Sequence, residues 1–395
     1  MPHLARHGCL LQSVPTASQP GKYAPGDNGR MTKHRIVVGL SGGVDSSVAA
    51  WLLKRDGWRV VGLTMSIWDG SVPIPDEGLS GCFGPGEARD LEAARAIAAR
   101  LGIEHRVVAL AEEYKRTVLD YFRAEYLAGR TPNPCVRCNQ RMKFGFLLEQ
   151  ARAQGADFDK FATGHYARTR FDEASGRWQL LRGRDAGKDQ SYFLSRLQQA
   201  QLAMLVFPLG ELRKGEVKDL ARELGWADLA EKDESQDFIE CADYAVLFRP
   251  GDAKPGDFVT RTGKVLGRHR GIIHYTIGQR KGLELGGGGT PWYVLEIDAA
   301  RNRVVVGPRE ELHARELVAG DLNWVALAGA PERPFRCEVQ IRQRHKAAPA
   351  TVVADGDRLR AAFDEPQLSV TPGQIAVFYA GDVVLASGAI EKPAQ

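Results

Sequence analysis

A glycine-rich segment near the start of the chain has the residue types that bind phosphate groups: Ser41-Gly42-Gly43-Val44-Asp45-Ser46-Ser47. It follows a short apolar run and precedes a helical pattern of apolar residues. Glycines let the backbone approach phosphate oxygens, and the free N–H groups at a helix N-terminus attract the anion. The serines add hydroxyl donors, and Asp45 is suited to Mg²⁺ or to phosphate positioning. The segment predicts a nucleotide site; the alternative is a βα turn that merely needs tight geometry.

A second candidate site is the pair Cys135 and Cys138, spaced as in a CxxC motif. Two nearby prolines argue against a regular helix, so we expect Cys135 to lie on a loop. Arg137 and Arg141 are close in sequence and would favour the reactive thiolate. A single CxxC is compatible with redox, zinc or iron–sulfur chemistry, but no second CxxC or HxxxH completes a zinc site.

Among the remaining cysteines, Cys241 is the natural third member of this site, with an incidental thiol as the alternative. Cys9, Cys82 and Cys337 are interpreted as bystanders, although Cys82 also lies in a glycine-rich loop. Six scattered cysteines are too few for a secreted disulfide framework, and they favour a reducing cytoplasm.

The elements that position these residues alternate between strands and helices in the first part of the chain. Strands are predicted at 35–40, 59–65, 106–110 and 160–164, and helices at 87–101, 112–128 and 143–154. This alternation is typical of a doubly wound α/β fold with a parallel sheet. His165 then lies at the carboxyl edge of that sheet, where ligands bind.

Short glycine-punctuated strands dominate after Pro250 and predict small β domains or barrels. The chain is therefore divided into a disordered extension (1–30), a catalytic domain (31–249), a central β domain (250–315) and a C-terminal β-barrel (316–395).

The composition of the 395 residues is that of a globular protein, and no run of about 18 apolar residues predicts a membrane span. The net charge of +4 permits a polyanionic partner without arguing for one. Basic residues cluster at 268–270, 275–282 and 342–346, where they could contact nucleic-acid phosphates. For any single residue of these clusters, solvated surface charge is the alternative.

Six separated motifs over residues 34–395 resemble the tRNA-specific 2-thiouridylase family of PP-loop ATP pyrophosphatases. The motifs are GLSGGVDSSVAA from Gly39, TPNPCVRCNQRMKFG from Thr131, ATGHYAR from Ala162, KDQSYFL from Lys188, GIIHYTIGQRKGL from Gly271 and TPGQIAVFY from Thr371. The resemblance implies a PP-loop domain, a small central β domain and a C-terminal β-barrel. It also implies that ATP adenylates O2 of the wobble uridine of tRNA, after which a protein persulfide, loaded by a sulfur-donor protein, delivers sulfur to C2.

The resemblance also implies roles for individual residues. ATP with Mg²⁺ would be bound by Gly39, Leu40, Ser41, Gly42, Gly43, Val44, Asp45, Ser46, Met65 and Gly164. The target base and the rest of the tRNA would be contacted by Asn133, Pro134, Cys135, His165, Lys188, Asp189, Gln190, Arg342, Gln343 and Gln374. Cys138 would attack or close a disulfide during sulfur release, with Cys135 and Cys241 as the other catalytic candidates.

Two departures from the family pattern bear on the sulfur chemistry. Cys135 stands where many members carry an aspartate, and the cysteine of their SxxxC element, which carries the persulfide, would fall on Ile239, two residues before Cys241. Either Cys241 serves in a shifted loop, or Cys135 and Cys138 handle sulfur differently. A [4Fe–4S] cluster on Cys135, Cys138 and Cys241 is the alternative carrier.

Two other functions use the same features. An amide-forming PP-loop ligase would need an ammonia source, of which the sequence has no trace. An RNA-binding protein with a relic nucleotide fold would tolerate the loss of Asp45 and Cys138.

Overall fold

The computed structural model describes residues 34–232, 237–286 and 291–394, without the side chains of 392–394. The extension predicted at 1–30 lies outside the described residues, as does Ser235 of the SxxxC position. The strands in chain order are β1 (Arg35–Gly39), β2 (Arg59–Ser66), β3 (Gly81–Phe83), β4 (Glu104–Ala109), β5 (Lys160–Ala162), β6 (Ala167–Asp172), β7 (Arg177–Arg182), β8 (Leu205–Val206), β9 (Asp237–Ile239), β10 (Gly256–Val259), β11 (Val265–His269), β12 (Tyr293–Asp298), β13 (Arg303–Gly307), β14 (His313–Trp324), β15 (Phe335–Gln340), β16 (Ala348–Asp355), β17 (Arg358–Leu368), β18 (Ile375–Ala380) and β19 (Val383–Ala394).

The helices include two π-helical segments that continue α-helices. In chain order they are α1 (Val44–Arg55), α2 (Glu87–Leu101), α3 (Ala111–Tyr114), π1 (Lys115–Leu119), α4 (Asp120–Leu127), α5 (Pro134–Arg137), π2 (Cys138–Phe146), α6 (Leu147–Ala153), α7 (Ser191–Leu194), α8 (Gln199–Met204), α9 (Lys214–Glu223) and α10 (Ala227–Glu231). Short 3₁₀ turns lie at Tyr244–Leu247, Ile272–His274, Ala299–Arg301 and Arg309–Leu312.

A five-stranded parallel sheet in the order β4-β2-β1-β5-β8 is the centre of the first domain. Because successive strand residues point to opposite faces, β1 contributes to two cores. Ile36 and Val38 pack with residues of α1, α2 and α9, whereas Val37 packs on the other face with residues of α3, π1 and π2. Helices therefore cover both faces, and the predicted doubly wound fold is confirmed.

The cysteine pair lies on a helix, and the prediction that Cys135 lies on a loop is wrong. Pro134 is the first residue of α5, a position where a helix leaves the backbone N–H unpaired and therefore tolerates proline. The Asn133 side chain caps this helix, since its Oδ1 accepts from the Val136 N–H at 3.1 Å. Helix α5 then continues directly into π2, which begins at Cys138.

Two β structures follow, as the sequence predicts. The central one is a four-stranded sheet in the order β11-β10-β13-β12. In the second, β14-β17-β16-β15-β18-β19 form an antiparallel sheet that the pairing of β14 with β19 closes into a six-stranded barrel. The β6–β7 hairpin of the first domain extends this sheet through Leu181, which pairs with Val383. Within the described residues, no helix is long and apolar enough to cross a membrane.

Candidate functional site

The glycine-rich loop connects the end of β1 to the first turn of α1 and holds its own serines in place. The Ser41 N–H donates to Ser46 Oγ at 3.2 Å, and the Ser46 and Ser47 hydroxyls donate to the Gly43 carbonyl at 3.1 and 2.8 Å. Gly42 has a φ of +73°, and a Cβ there would lie 2.7 Å from the Ala93 Cβ. The loop is therefore preformed at the amino end of α1, where the backbone N–H groups suit a phosphate.

Asp45 lies in an ionic cluster that the sequence did not predict. Lys214 donates to both carboxylate oxygens of Asp45 at 2.7 and 2.8 Å, and the Tyr166 hydroxyl donates to one of them at 2.8 Å. The Lys214 residue is only 8% exposed. Lys214 lies 169 residues from Asp45, and no local pattern links the two; the tertiary fold alone brings a buried ammonium beside the loop.

Met65 and Gly164 lie at the same edge of the sheet as the loop. Met65 is two residues beyond Leu63, the register partner of Gly39, and Gly164 follows β5. A Cβ on Gly164 would lie 2.7 Å from the Ser46 backbone nitrogen and 2.8 Å from the Asp45 carbonyl carbon. A glycine is needed at 164 because the first turn of α1 packs directly on its backbone.

The substitution Gly164→Ala is expected to weaken ATP binding by about tenfold or more, because the added methyl group displaces the backbone that faces the phosphates. Isothermal titration with a non-hydrolysable ATP analogue measures the affinity. Gly329→Ala is the matched control, since a Cβ there meets nothing within 4 Å. Equal affinities for the two variants would contradict this role of Gly164.

The second half of the site brings thiols and a lysine together. Cys138 is buried and Cys135 half-buried. Burial raises the pKa of Cys135 to about 12, with the negative charges of Cys82 and Cys138 adding to it. Burial likewise raises the pKa of Cys138 to about 11, opposed by the positive charge of Lys143. Burial disfavours a charged Lys143, but Cys138, Cys82 and Cys135 outweigh it, and the pKa of Lys143 is raised.

The expectation that Arg137 and Arg141 favour the thiolates is wrong, because burial dominates both thiol pKa values. Arg137 donates to the Thr117 carbonyl and lies over the Tyr121 ring, 5.0 Å from its centroid. The cation that acts on the thiols is Lys143, which the sequence analysis missed. Lys143 lies five residues after Cys138 within π2, and an inspection of the helical segment for cations could have found it.

Alkylation of Cys138 by iodoacetamide in the protein without substrates is expected to rise about tenfold per pH unit between pH 7 and 10, because the thiolate is the reactive form and a pKa of about 11 lies above this range. Peptide mass spectrometry after timed quenching measures the rate. A plateau near pH 8 would mean that Lys143 stabilises the thiolate more strongly than burial opposes it.

Cys241 and Cys82 have surroundings that differ from each other. Cys241 is buried and its thiol donates to the Asp243 carbonyl at 3.3 Å; the charges that act on it are those of Glu77, Asp243 and Asp237. The negative charge of Cys82, which was interpreted from the sequence as a bystander, contributes to the raised pKa values of Cys135, Cys138 and Lys143. In the part of the chain that the structure describes, no three His, Cys, Asp or Glu side chains are placed to hold a metal ion.

The dipeptide His165-Tyr166 connects the two halves of the site. Tyr166 contacts Asp45, as described above. The His165 Nδ1 is 2.8 Å from the Thr163 hydroxyl, and its ring centroid is 5.9 Å from that of Phe144 in π2. Burial, followed by the charge of Lys143, lowers the pKa of His165 to about 3, so this imidazole is neutral at physiological pH. The nucleotide loop and π2, the helical segment that begins at Cys138, therefore both contact the dipeptide at the carboxyl end of β5.

Several residues expected to contact tRNA are engaged in internal hydrogen bonds. The Asp189 carboxylate accepts from the Gly183 and Ser191 N–H groups at 2.9 and 3.0 Å, and Gln190 Oε1 accepts from the Tyr166 N–H at 2.9 Å. Gln343 donates to the Asp189 carbonyl at 3.0 Å, which joins the two predicted tRNA-contacting segments. Lys188 is half-buried and Arg342 is exposed beside them. In the 268–270 cluster, His269 is buried rather than on the surface.

Gln374 of the barrel holds the segment that leads to the cysteines. Its side-chain amide donates to the Thr131 and Pro132 carbonyls, both at 3.0 Å, and the Thr131 N–H donates to the Pro372 carbonyl at 2.8 Å. Gln374→Ala is therefore expected to lower sulfur transfer about tenfold while leaving ATP affinity unchanged, because the segment loses two anchors. Single-turnover kinetics measure the transfer, with Gln179→Ala on the β6–β7 hairpin as the control. Unchanged transfer would contradict this positioning role.

The fold and the loop define a nucleotide-binding α/β domain followed by two β domains. Family models match all three: the tRNA methyl transferase HUP domain over residues 34–241, the tRNA methyl transferase PRC-barrel domain over 245–308 and the aminomethyltransferase beta-barrel domain over 314–390. The tRNA-specific 2-thiouridylase MnmA of Endomicrobium trichonymphae is 45% identical over 91% of this chain and 99% of its own length. Those of Solibacter usitatus and Geobacter metallireducens are 47% and 48% identical over 91% of this chain, and over 100% and 97% of their own lengths. The chain belongs to the tRNA-specific 2-thiouridylase family.

Proposed function

We propose that this protein is a tRNA-uridine 2-sulfurtransferase that activates the wobble uridine with ATP and replaces O2 of the base with sulfur. The observation that carries the proposal is that the phosphate-binding loop and the helical segment that begins at Cys138 both contact His165-Tyr166, at the carboxyl end of a strand of the parallel sheet. Activation occurs at O2 and sulfur transfer at C2 of the same base, so the two sets of groups must lie within reach of one base.

In the activation step, O2 of the uracil attacks the α-phosphate of ATP and pyrophosphate leaves. The loop at Ser41–Ser46 supplies N–H and hydroxyl donors to the phosphates. Lys214 supplies a buried positive charge beside them, and Asp45 holds that ammonium in place. Asp45 is also the loop carboxylate that could contact Mg²⁺ brought with the nucleotide.

In the transfer step, a persulfide on Cys138 attacks C2 of the activated base and AMP leaves with its oxygen. The thiolate of Cys135 then attacks Cys138 Sγ, which leaves the outer sulfur on C2 and forms a Cys135–Cys138 disulfide for reduction by an external thiol. Lys143 favours the anionic sulfur at this step, since its charge opposes the rise that burial causes in the pKa of Cys138. We assign Cys241 no step, because its thiol is turned to the Asp243 carbonyl.

A [4Fe–4S] cluster as the sulfur carrier has less support. In the described residues, Cys135, Cys138 and Cys241 are not placed together as a set of ligands that could hold a metal. We derive no step through a cluster. Iron and sulfide analysis after anaerobic purification is the direct test of this alternative. A cytoplasmic location, where tRNA and a sulfur-donor protein are present, accords with the proposed substrate.

The proposal is tested with purified protein, ATP, Mg²⁺, a persulfide source and unmodified tRNA that carries a wobble uridine. We expect pyrophosphate release that requires tRNA, and 2-thiouridine at the wobble position by nucleoside mass spectrometry. The matched control is the same tRNA with cytidine at the wobble position. It has no uracil for the enzyme to activate there, so neither pyrophosphate nor 2-thiouridine should form. Pyrophosphate release without tRNA, or none with it, would overturn the proposal.

A further inference from the structure

The side chain of Gln201 connects the short helix α8 to π2, the helical segment that begins at Cys138. Its Nε2 donates to the Gln140 carbonyl at 3.0 Å and to the Phe144 carbonyl at 2.8 Å, and both carbonyls belong to π2. Its Oε1 accepts from the N–H of Gln198, the residue before α8, at 2.9 Å. Both amide hydrogens and the amide oxygen of Gln201 are therefore used in hydrogen bonds.

Helix α8 is itself fixed to the strands beside it. The Gln199 Nε2 donates to the Trp178 carbonyl of β7 and to the Val325 carbonyl just after β14, both at 2.9 Å. The Gln199 Oε1 accepts from the Trp178 N–H at 2.8 Å, and the Leu202 side chain of α8 is buried in the core. Gln201 therefore reaches π2 from a fixed support.

The hydrogen-bonding pattern of π2 decides which residues lie on the same side of it as Cys138. In an α-helix, a residue five positions after Cys138 lies about 140° around the axis, on the other side of the helix. In a π-helix each N–H bonds the carbonyl five residues earlier, so a residue five positions later lies one turn along on the same side. Lys143 is five residues after Cys138, and both belong to π2. The π pattern, and not the α pattern, therefore puts Lys143 on the side of the thiol.

The charges in the site agree with this placement of Lys143. Its positive charge opposes the rise that burial causes in the pKa of Cys138 and of Cys135. After burial, the same charge is the second cause that lowers the pKa of His165, whose ring lies beside that of Phe144. Lys143 therefore acts on the thiols and on the imidazole from one position in π2.

A long π-helical segment is unusual and needs support from outside itself. Such helices are rare and mostly a single turn long, whereas π2 spans nine residues. Gln201 binds the carbonyls of Gln140 and Phe144, four residues apart, with one nitrogen atom. A change to α-helical bonding would rotate these two carbonyls relative to each other and break at least one of the two hydrogen bonds.

We propose that Gln201 is a positioning residue for sulfur transfer, which holds π2 in its π-helical hydrogen-bonding pattern and thereby keeps Lys143 on the side of Cys138. This inference rests on the proposed function, because sulfur transfer by Cys138 is the step that it serves. It adds a residue to which neither the sequence motifs nor the family resemblance gives a role.

The test measures the alkylation of Cys138 by iodoacetamide across the pH range given above for the wild type, in protein without substrates. Gln201→Met removes the amide and is expected to slow alkylation at each pH by about threefold to tenfold, because the thiolate loses a nearby positive charge. Gln201→His retains one N–H donor and should give an intermediate rate. Gln199→Met is the matched control, since it removes as many hydrogen bonds from the same helix without touching π2, and it should react at the wild-type rate.

The same substitution is then made in a Lys143→Met protein. We expect Gln201→Met to slow alkylation no further there, because the positive charge that Gln201 positions is already absent. Effects of the two substitutions that multiply would overturn the inference. Faster alkylation in Gln201→Met would also overturn it, since Gln201 would then only keep the thiol covered.

Sulfur transfer and tRNA-dependent pyrophosphate release are measured on the same preparations. Gln201→Met should slow single-turnover transfer by about tenfold and leave pyrophosphate release unchanged, since activation uses the nucleotide loop. Absence of pyrophosphate release and of 2-thiouridine in the wild type would refute the proposed function. The alkylation rates do not depend on tRNA and would still decide whether Gln201 positions Lys143, so the two failures are distinguishable.

Discussion

Replacing Cys138 with serine is expected to abolish 2-thiouridine formation, by at least about a thousandfold, while tRNA-dependent pyrophosphate release continues. A serine hydroxyl cannot form a persulfide, so the activated base has no sulfur nucleophile. In the proposed mechanism the activation step uses the loop and Lys214, which this substitution does not change. Nucleoside mass spectrometry and a pyrophosphate assay on the same reaction measure the two steps separately.

The control for this experiment is Cys337→Ser, which should retain both steps because Cys337 belongs to the hydrophobic core of the barrel. Because Cys138 is itself buried, thermal unfolding of the Cys138→Ser variant must be compared with that of the wild type. Retained thiolation in a folded Cys138→Ser protein would show that another thiol attacks the base, and Cys135 would be the first candidate.

The second large effect is expected from Lys214→Met, which should lower tRNA-dependent pyrophosphate release by about a hundredfold. The substitution removes the buried ammonium that binds Asp45 of the glycine-rich loop. It also leaves the Asp45 carboxylate with the Tyr166 hydroxyl as its remaining hydrogen-bond donor in this cluster. A carboxylate without its cation repels the nucleotide phosphates, so both the affinity for ATP and the rate should fall.

Lys218→Met is the matched control, because Lys218 lies one turn further along α9 and does not contact Asp45. This substitution removes the same charge as Lys214→Met. The double variant Asp45→Asn with Lys214→Met separates two explanations. Partial recovery of ATP affinity relative to Lys214→Met would indicate that the unpaired carboxylate caused part of the loss. Equal pyrophosphate release by the Lys214→Met and Lys218→Met variants would remove Lys214 from the activation step.

The sequence was sufficient for features that depend on neighbouring residues. The alternation of strands and helices predicted the doubly wound sheet, and the SGGxDS pattern located the loop at the start of α1. The error at Cys135 arose from reading two prolines as helix breakers, although the first residue of a helix accepts proline. The expectation that arginines favour the thiolates failed because burial has a larger effect on the thiol pKa values than charges nearby in the sequence. Burial cannot be read from a short segment.

The residues that could not be found from the sequence were missed for a different reason. Lys214 and Tyr166 reach Asp45 from 169 and 121 residues away, and strand β3, which contains Cys82, pairs with a strand more than 150 positions later in the chain. Such contacts depend on the packing of the whole domain, and local spacing carries no trace of them. Lys143 is the exception, because it lies on the same helical segment as Cys138.

The hydrogen bonds between the barrel and the segment that precedes Cys135 affect how the protein unfolds and how it can be divided into domains. The family models separate the chain at residues 241–245 and 308–314, yet Gln374 anchors Thr131 and Pro132, and the Arg196 guanidinium donates to Asp321 at the start of the barrel. The β6–β7 hairpin even shares a sheet with the barrel. Contacts of this kind couple the stabilities of the two parts, so they should melt in a single cooperative transition. A truncated catalytic domain would therefore keep its nucleotide loop but lose the order of its thiols. A barrel exchanged between relatives would need side chains that form the same hydrogen bonds to the segment at 131–132.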